Sequence, residues 1–262
     1  MPTAVSTDIV DGVATITLSS DDGMNLFSGR TASDLAEAYR ACDGDDEVRA
    51  VVLTATGRAF CAGADMSAEA KVFAPRAEGF SASPLAMPAW EVRKLVIAAV
   101  TGHAIGIGLT LALQCDLRFV AADAKLAIPQ VRRGMLGDAH SHYTLRAAAG
   151  AAVAADLLLT GRTILGEEAA RLGVANRALP ADDVLPAAWE LASDVAGNAS
   201  PASVALSKQL LWSDLSRAEV EARETAAHRI LMNHPDAFEG PTAWRERRRP
   251  EWTLRVSDLP DS

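Results

Sequence analysis

Short apolar runs of strand length alternate with helix-spaced segments over residues 1–150, and the remainder reads as almost wholly helical, which together predict an α/β fold. Strands separated by helices need crossover connections, so parallel strand pairing is expected. The chain has 262 residues, 49% of them apolar, enough to bury a full core and to exclude global disorder. A formal charge of −9 and a pI near 5.1 argue against nucleic acid or an anionic membrane as the main partner. The local exception is a basic run near the C-terminus, Arg245, Arg247, Arg248 and Arg249.

Each element has its own signal. Residues 4–19 alternate apolar and polar around Asp11-Gly12, a hairpin pattern. Over residues 30–43, Leu35, Ala38, Tyr39 and Cys42 fall at helical spacing, and Gly44 stops the helix. Val48–Thr54 and Leu95–Val100 read as short buried strands, followed by a helix over Gly108–Cys115 and a strand over Leu117–Ala121. Ser67–Pro88 is weakly periodic and holds Pro75, Gly79, Pro84 and Pro88, so it is expected at the surface as a lid or pocket wall. The chain is divided into 1–195, the core, and 196–262, a helical region. Cys42, Cys61 and Cys115 are too few and too scattered for a disulfide framework or a metal motif, which points to a reduced cytoplasm. Met1–Ile9 lacks a basic start and an apolar run, so no signal peptide is read. Leu95–Leu113 is interrupted by Thr101, Gly102, His103 and Gly106, a buried strand and helix rather than a membrane span.

Three glycine-punctuated segments carry the chemistry: Phe60–Met66, Thr101–Thr110 and Gly134–His142. In the second, Gly106-Ile107-Gly108 follows a strand and opens a helix. A helix start offers free N–H groups and a positive dipole end, a place for an oxyanion or a phosphate, unless the glycines serve only a tightly packed turn. A nicotinamide cofactor is disfavoured, because Leu111 stands where the dinucleotide fingerprint has its third glycine and no Lys follows Tyr143 at four residues.

In order and spacing these segments resemble the crotonase superfamily of enoyl-CoA hydratases and isomerases. The resemblance spans nearly the whole chain. It is carried by Arg58-Ala-Phe-Cys-Ala-Gly-Ala-Asp-Met66, by Lys94–Val100 leading into Thr101-Gly-His-Ala104, and by Cys115-Asp116. Leu159-Thr-Gly-Arg162, with Ala169, Leu172 and Gly173, and the ending Glu239–Pro250 complete it. It implies a spiral of ββα repeats with a C-terminal helical trimerisation region, assembled as a homotrimer or homohexamer. It also implies an acyl-CoA thioester as substrate, coenzyme A being part of that substrate and no separate cofactor being needed. Further, it implies an oxyanion hole formed by the backbone N–H groups of Ala62 and Ile107. Ala62, Ala64 and Met66 fall where the family's backbone cradles the adenine and pantetheine, Asp65 shapes that loop, and Arg247 and Arg249 fall where basic residues hold the CoA phosphates.

The departures from the family pattern narrow the chemistry. The family's two hydratase glutamates fall at Thr110 and Gln130, and neither an aliphatic hydroxyl nor an amide titrates near neutrality. Asp138 lies where family isomerases carry a working aspartate, and one carboxylate can take a proton from one carbon and return it two carbons away. The competing role for Asp138 is N-cap of a helical run over 139–149. In such a helix His142 and Tyr143 would share its face at i+4 and i+5. His142, and less directly His140, are therefore candidate acid/base groups, no metal site is read because no fourth ligand is evident, and His103 is expected in the pocket wall. The favoured reading is isomerase-type proton transfer by Asp138. A hydratase or hydrolase with a non-standard acid/base set and a non-catalytic acyl-CoA binder are the alternatives.

Overall fold

A computed structural model describes residues 2–66 and 81–260. Most of the segment read as a lid or pocket wall lies outside the described residues. β1 (Ala4–Val10) and β2 (Val13–Ser19) form the expected hairpin, with Asp11 at φ 49° and Gly12 at φ 80°, the two left-handed positions a two-residue turn needs. α1 (Gly29–Gly44) starts at Ser28, whose hydroxyl accepts from Thr31 N–H at 3.2 Å, and buries Leu35, Tyr39 and Cys42.

The centre of the chain repeats one pattern. β3 (Ala50–Ala55) is followed by the short β4 (Ala59–Cys61), β5 (Leu95–Val100) by β6 (His103–Ile105) and α2 (Ile107–Gln114), and β7 (Leu117–Ala121) by β8 (Lys125–Ala127) and α3 (Ser141–Thr160). In each repeat the first strand joins a six-stranded sheet and the second a four-stranded one. The larger sheet runs β1-β2-β3-β5-β7-β10 and the smaller β4-β6-β8-β9, with β9 at Ile164–Leu165 and β10 at Arg177–Leu179. Only β1–β2 and β8–β9 pair antiparallel; the other pairs are parallel, as crossover connections demand. Each turn of this spiral thus adds one strand to each sheet.

The rest of the chain is not wholly helical. Between α4 (Gly166–Arg171) and α5 (Ala181–Asn198), β10 pairs with Phe119–Ala121 of β7 and closes the large sheet. It has three residues and none is buried, so it leaves no apolar run to read. α5 packs on β3, β5 and β7, and the division set at 195 falls in its last turn. α6 (Pro201–Leu211) carries Ala202 and Ala205 into a separate small core with Leu254, Val256 and Leu259. A buried cation ties α6 to the large sheet. Lys208 Nζ donates to the carbonyls of Ala89 and Lys94 at 2.9 Å and to Asp116 Oδ2 at 2.7 Å, while Trp212 Nε1 donates to Asp116 Oδ1 at 2.7 Å. α7 (Arg217–Met232) buries no residue, and Phe238 and Trp244 of α8 (Asp236–Glu246) are exposed. No described helix is long and apolar enough to cross a membrane.

Candidate active site

The spiral brings the end of β4, the start of α2 and the segment between β8 and α3 around one cavity of about 440 Å³. Ala64, Met66, Ile107 and Asp138, four of the nine residues read from the sequence as catalytic or CoA-binding, line it together with Gln130 and Phe27.

The backbone donors follow from local geometry. Phe27 and Ala64 form a parallel bridge in which Phe27 N–H donates to Gly63 O and Asp65 N–H to Phe27 O, both at 2.9 Å. A parallel bridge uses the groups of residues 63 and 65 and leaves the N–H of Ala64 outside it. The N–H of Ala62, in contrast, donates to Met24 O at 2.9 Å and Ala62 does not line the cavity. The expected donor at Ala62 is therefore spent on the fold, and the free N–H of that loop belongs to Ala64.

The second donor comes from the start of α2. Gly106, at φ 59° and ψ −120°, turns the chain from β6 into the helix, a conformation that glycine adopts without steric cost. A Cβ on Gly108 would stand 2.2 Å from the carbonyl oxygen of Cys61, so only glycine lets the first turn of α2 lie against the end of β4. Ile107, buried at the first helical position, has no acceptor for its N–H within the helix. Neither its N–H nor that of Ala64 has a hydrogen-bond partner among the described residues.

Asp138 lines the same cavity as this pair of donors. Thr110 Oγ1, fully buried on α2, lies 3.1 Å from Asp138 Oδ1 and 3.1 Å from the carbonyl of Ile107. Burial pushes the Asp138 carboxyl above the ordinary aspartate range, and hydrogen bonds from Thr110 and Gln130 offset part of that rise. Gln130 Oε1 is buried and has no partner among the described residues.

The N-cap role for Asp138 is not what the structure holds. α3 begins at Ser141, its cap position is His140, and Ala139 (φ 48°) and His140 (φ 62°) are both left-handed. Asp138 contributes only its carbonyl to this turn, accepting from Ser141 N–H at 2.9 Å, while its carboxylate turns to Thr110. Asp138 thus precedes the helix by a backbone reversal, and the i, i+4 relation with His142 does not exist. His142 and Tyr143 are exposed, and neither histidine of this segment lines the cavity. His140 instead sets its ring edge-on to Trp90, with centroids 5.0 Å apart. His103 is also outside the cavity wall, its Nδ1 accepting from Lys125 N–H at 3.1 Å between β6 and β8.

Arg247, the left-handed C-cap of α8, and Arg249, whose guanidinium lies beside Gly197 of α5, do not line the cavity of this chain. The reading of the sequence missed Arg133, which does line it. Its signal was the spacing from Gln130 within the single turn Pro129–Arg133, a 3₁₀ segment opened by proline.

A two-sheet spiral with a backbone-donor pocket at the start of α2 defines the crotonase class of proteins, and comparison places the chain within it. The sequence model described as enoyl-CoA hydratase/isomerase matches residues 8–255, and the chain belongs to that family. The crystal structure of a "probable enoyl-CoA hydratase/isomerase" from Mycobacterium abscessus superposes with a TM-score of 0.92 at 49% identity, covering 96% of this chain and 99% of that one. Carnitinyl-CoA dehydratase of Proteus mirabilis is 32% identical over 88% of this chain and 91% of its own length. The "probable enoyl-CoA hydratase echA8" of Mycobacterium leprae is 34% identical over 95% of this chain and 98% of its own.

Proposed function

We propose that this acyl-CoA enzyme moves a double bond along its substrate, with Asp138 carrying the proton. The observation behind this reading is that Asp138 is the one carboxylate among the described residues lining the cavity, and that its partners, Thr110 and Gln130, do not titrate near neutrality. The thioester carbonyl oxygen accepts from the N–H groups of Ala64 and Ile107, which stabilise negative charge on that oxygen. Asp138 takes a proton from one carbon beside the unsaturated system, the electron pair delocalises as a dienolate, and the same carboxyl returns the proton two carbons away. The raised pKa suits this task, because a base and an acid in turn work best near the operating pH.

A second reading is addition or removal of water, supported by Gln130 Oε1, a buried acceptor without a donor that a water could satisfy. Mass spectrometry in deuterated water separates the two. Migration incorporates deuterium on carbon without mass gain from solvent oxygen, while hydration adds oxygen. Asp138→Asn is expected to lower turnover by about 10²–10⁴-fold with thioester binding retained. Unchanged exchange in that variant overturns the proton-transfer role, and tight thioester binding with no exchange in the wild type supports a binder instead. The bare face of α7 and the exposed Phe238 and Trp244 support assembly as a homotrimer or homohexamer, in which Arg247 and Arg249 reach a CoA phosphate across subunits. Sedimentation measures the assembly.

A further inference from the structure

The cavity holds two charged groups among its described lining residues, Asp138 and Arg133, and no ion pair joins them. The Arg133 side chain has no hydrogen bond or ion pair among the described residues. Its neighbour Arg132 is committed, donating from Nε to Thr160 O at 2.7 Å. Two other arginines are held by ion pairs, Arg162 to Asp156 and Arg93 to Asp43, whereas Arg133 lines the cavity. Among the described residues Arg133 is thus a cation without a partner, at a pocket otherwise walled by residues that include Phe27, Met66, Pro84 and Leu136.

Its place along the pocket follows from the turn that carries it. In a 3₁₀ turn residues i and i+3 eclipse, so Gln130 and Arg133 of Pro129–Arg133 project on one face, about 6 Å apart along the axis. Gln130 hydrogen-bonds the Asp138 carboxylate. The cation therefore lies one short turn from the group that handles the proton, whereas the phosphates of CoA sit a whole pantetheine arm away from a thioester held at Ala64 and Ile107. Apolar walls next to a lone guanidinium suit a short carbon chain ending in an anion, which the planar fork grips through two parallel hydrogen bonds.

We propose that the acyl group accepted here carries a second carboxylate, held by Arg133, so that the substrates are CoA monothioesters of dicarboxylic acids. The proposal rests on the acyl-CoA reading of the site. Equilibrium binding tests it with succinyl-, glutaryl- and adipyl-CoA against butyryl-, valeryl- and hexanoyl-CoA, and with free CoA. The expected result is a preference of about tenfold or more for the carboxylate thioester of one chain length, the size of a charge-assisted hydrogen bond. Arg133→Gln brings that ratio close to one and Arg133→Lys keeps part of it. Because Arg133 is exposed and its side chain has no partner among the described residues, an unchanged melting temperature of each variant confirms that the fold is intact. No preference at any length overturns the proposal. So does an Arg133→Gln variant that weakens both series and free CoA by the same factor, since Arg133 would then hold a CoA phosphate. If neither series nor free CoA binds the wild type, the acyl-CoA reading fails as well, a result distinct from the loss of the preference alone.

Discussion

The hydroxyl of Thr110 stands 3.1 Å from Asp138 Oδ1 and 3.1 Å from the carbonyl of Ile107, and it has one proton to give. With Asp138 ionised, the hydroxyl donates to the carboxylate. With Asp138 protonated, the acid donates to Thr110 Oγ1, and the hydroxyl proton turns to Ile107 O. A residue that cannot itself titrate thus accommodates both states of the one that can.

The sign of the pH dependence follows. Burial raises the Asp138 pKa, so the acid limb of proton exchange is expected above the ordinary aspartate range. Thr110→Val removes a hydrogen bond to the charged form and moves that limb to still higher pH, while Thr110→Ser leaves it near the wild-type position. A pH–rate profile of deuterium exchange reads both, and a Val variant with an unmoved limb sinks the coupling. For stability, a folded pKa above the unfolded value of about 3.9 gives a contribution present at low pH and lost as pH rises through the folded value. Asp138→Asn, neutral throughout, is therefore expected to melt above the wild type at neutral pH.

The donor pair has a main-chain test. Proline at position 64 removes an N–H that takes no part in the bridge to Phe27, so Ala64→Pro is expected to fold while turnover falls by about 10²–10³-fold. The preceding residue is Gly63, at φ 116°, with no side chain to clash with the proline ring. Ala62→Pro instead breaks the bond to Met24 O and is expected to cost about 1–3 kcal/mol of stability. Denaturation curves beside turnover numbers separate the two, and a fully active Ala64→Pro enzyme would falsify the assignment.

The contrast between Ala62 and Ala64 shows what the sequence could carry. Long periodic elements were legible, since Leu95–Val100 and Leu117–Ala121 are strands as read and α1 and α2 sit within a residue or two of expectation. Gly106, Ile107, Gln130 and Asp138 line the cavity; Gln130 and Asp138 were picked out by the resemblance, while Gly106-Ile107-Gly108 was legible from turn chemistry. The donor register in Phe60–Met66 was not, because every residue there has an N–H, and only the strand pairing decides which is spent. Asp138 and His142 share a face only if the helix starts before them, and two left-handed residues at 139 and 140, neither a glycine, give no sign of the break.

Gly108 fixes the relation between the two donors. A Cβ there meets a backbone carbonyl, which cannot rotate aside as a flexible side chain can. Gly108→Ala is expected to lift the first turn of α2 from Cys61, costing about 1–3 kcal/mol by overpacking and displacing the Ile107 N–H. Because shifts of about 1 Å at a reacting group cost on the order of 10²-fold, turnover should fall by more than stability alone explains. Thermal denaturation with exchange assays checks this, and an unperturbed melting curve would refute the close approach.

Lys208 tests whether α6 belongs to the core that carries the site. Its ammonium is buried with three acceptors on segments distant in sequence: Ala89, Lys94 and Asp116. Lys208→Met leaves the buried carboxylate of Asp116 without its cation, although Val96 N–H and Trp212 Nε1 still donate to it. Breaking a buried pair from one side typically costs about 3–5 kcal/mol, and the two remaining donors place this variant at the lower end of that range. Asp116→Asn alone weakens the same contacts, so the double variant should lose less than the sum of the singles, by at least about 0.5 kcal/mol. Urea denaturation of all four proteins measures the coupling. Strict additivity would mean that Lys208 and Asp116 act separately, and that α6 is held by the small core around Ala202 and Leu254 alone.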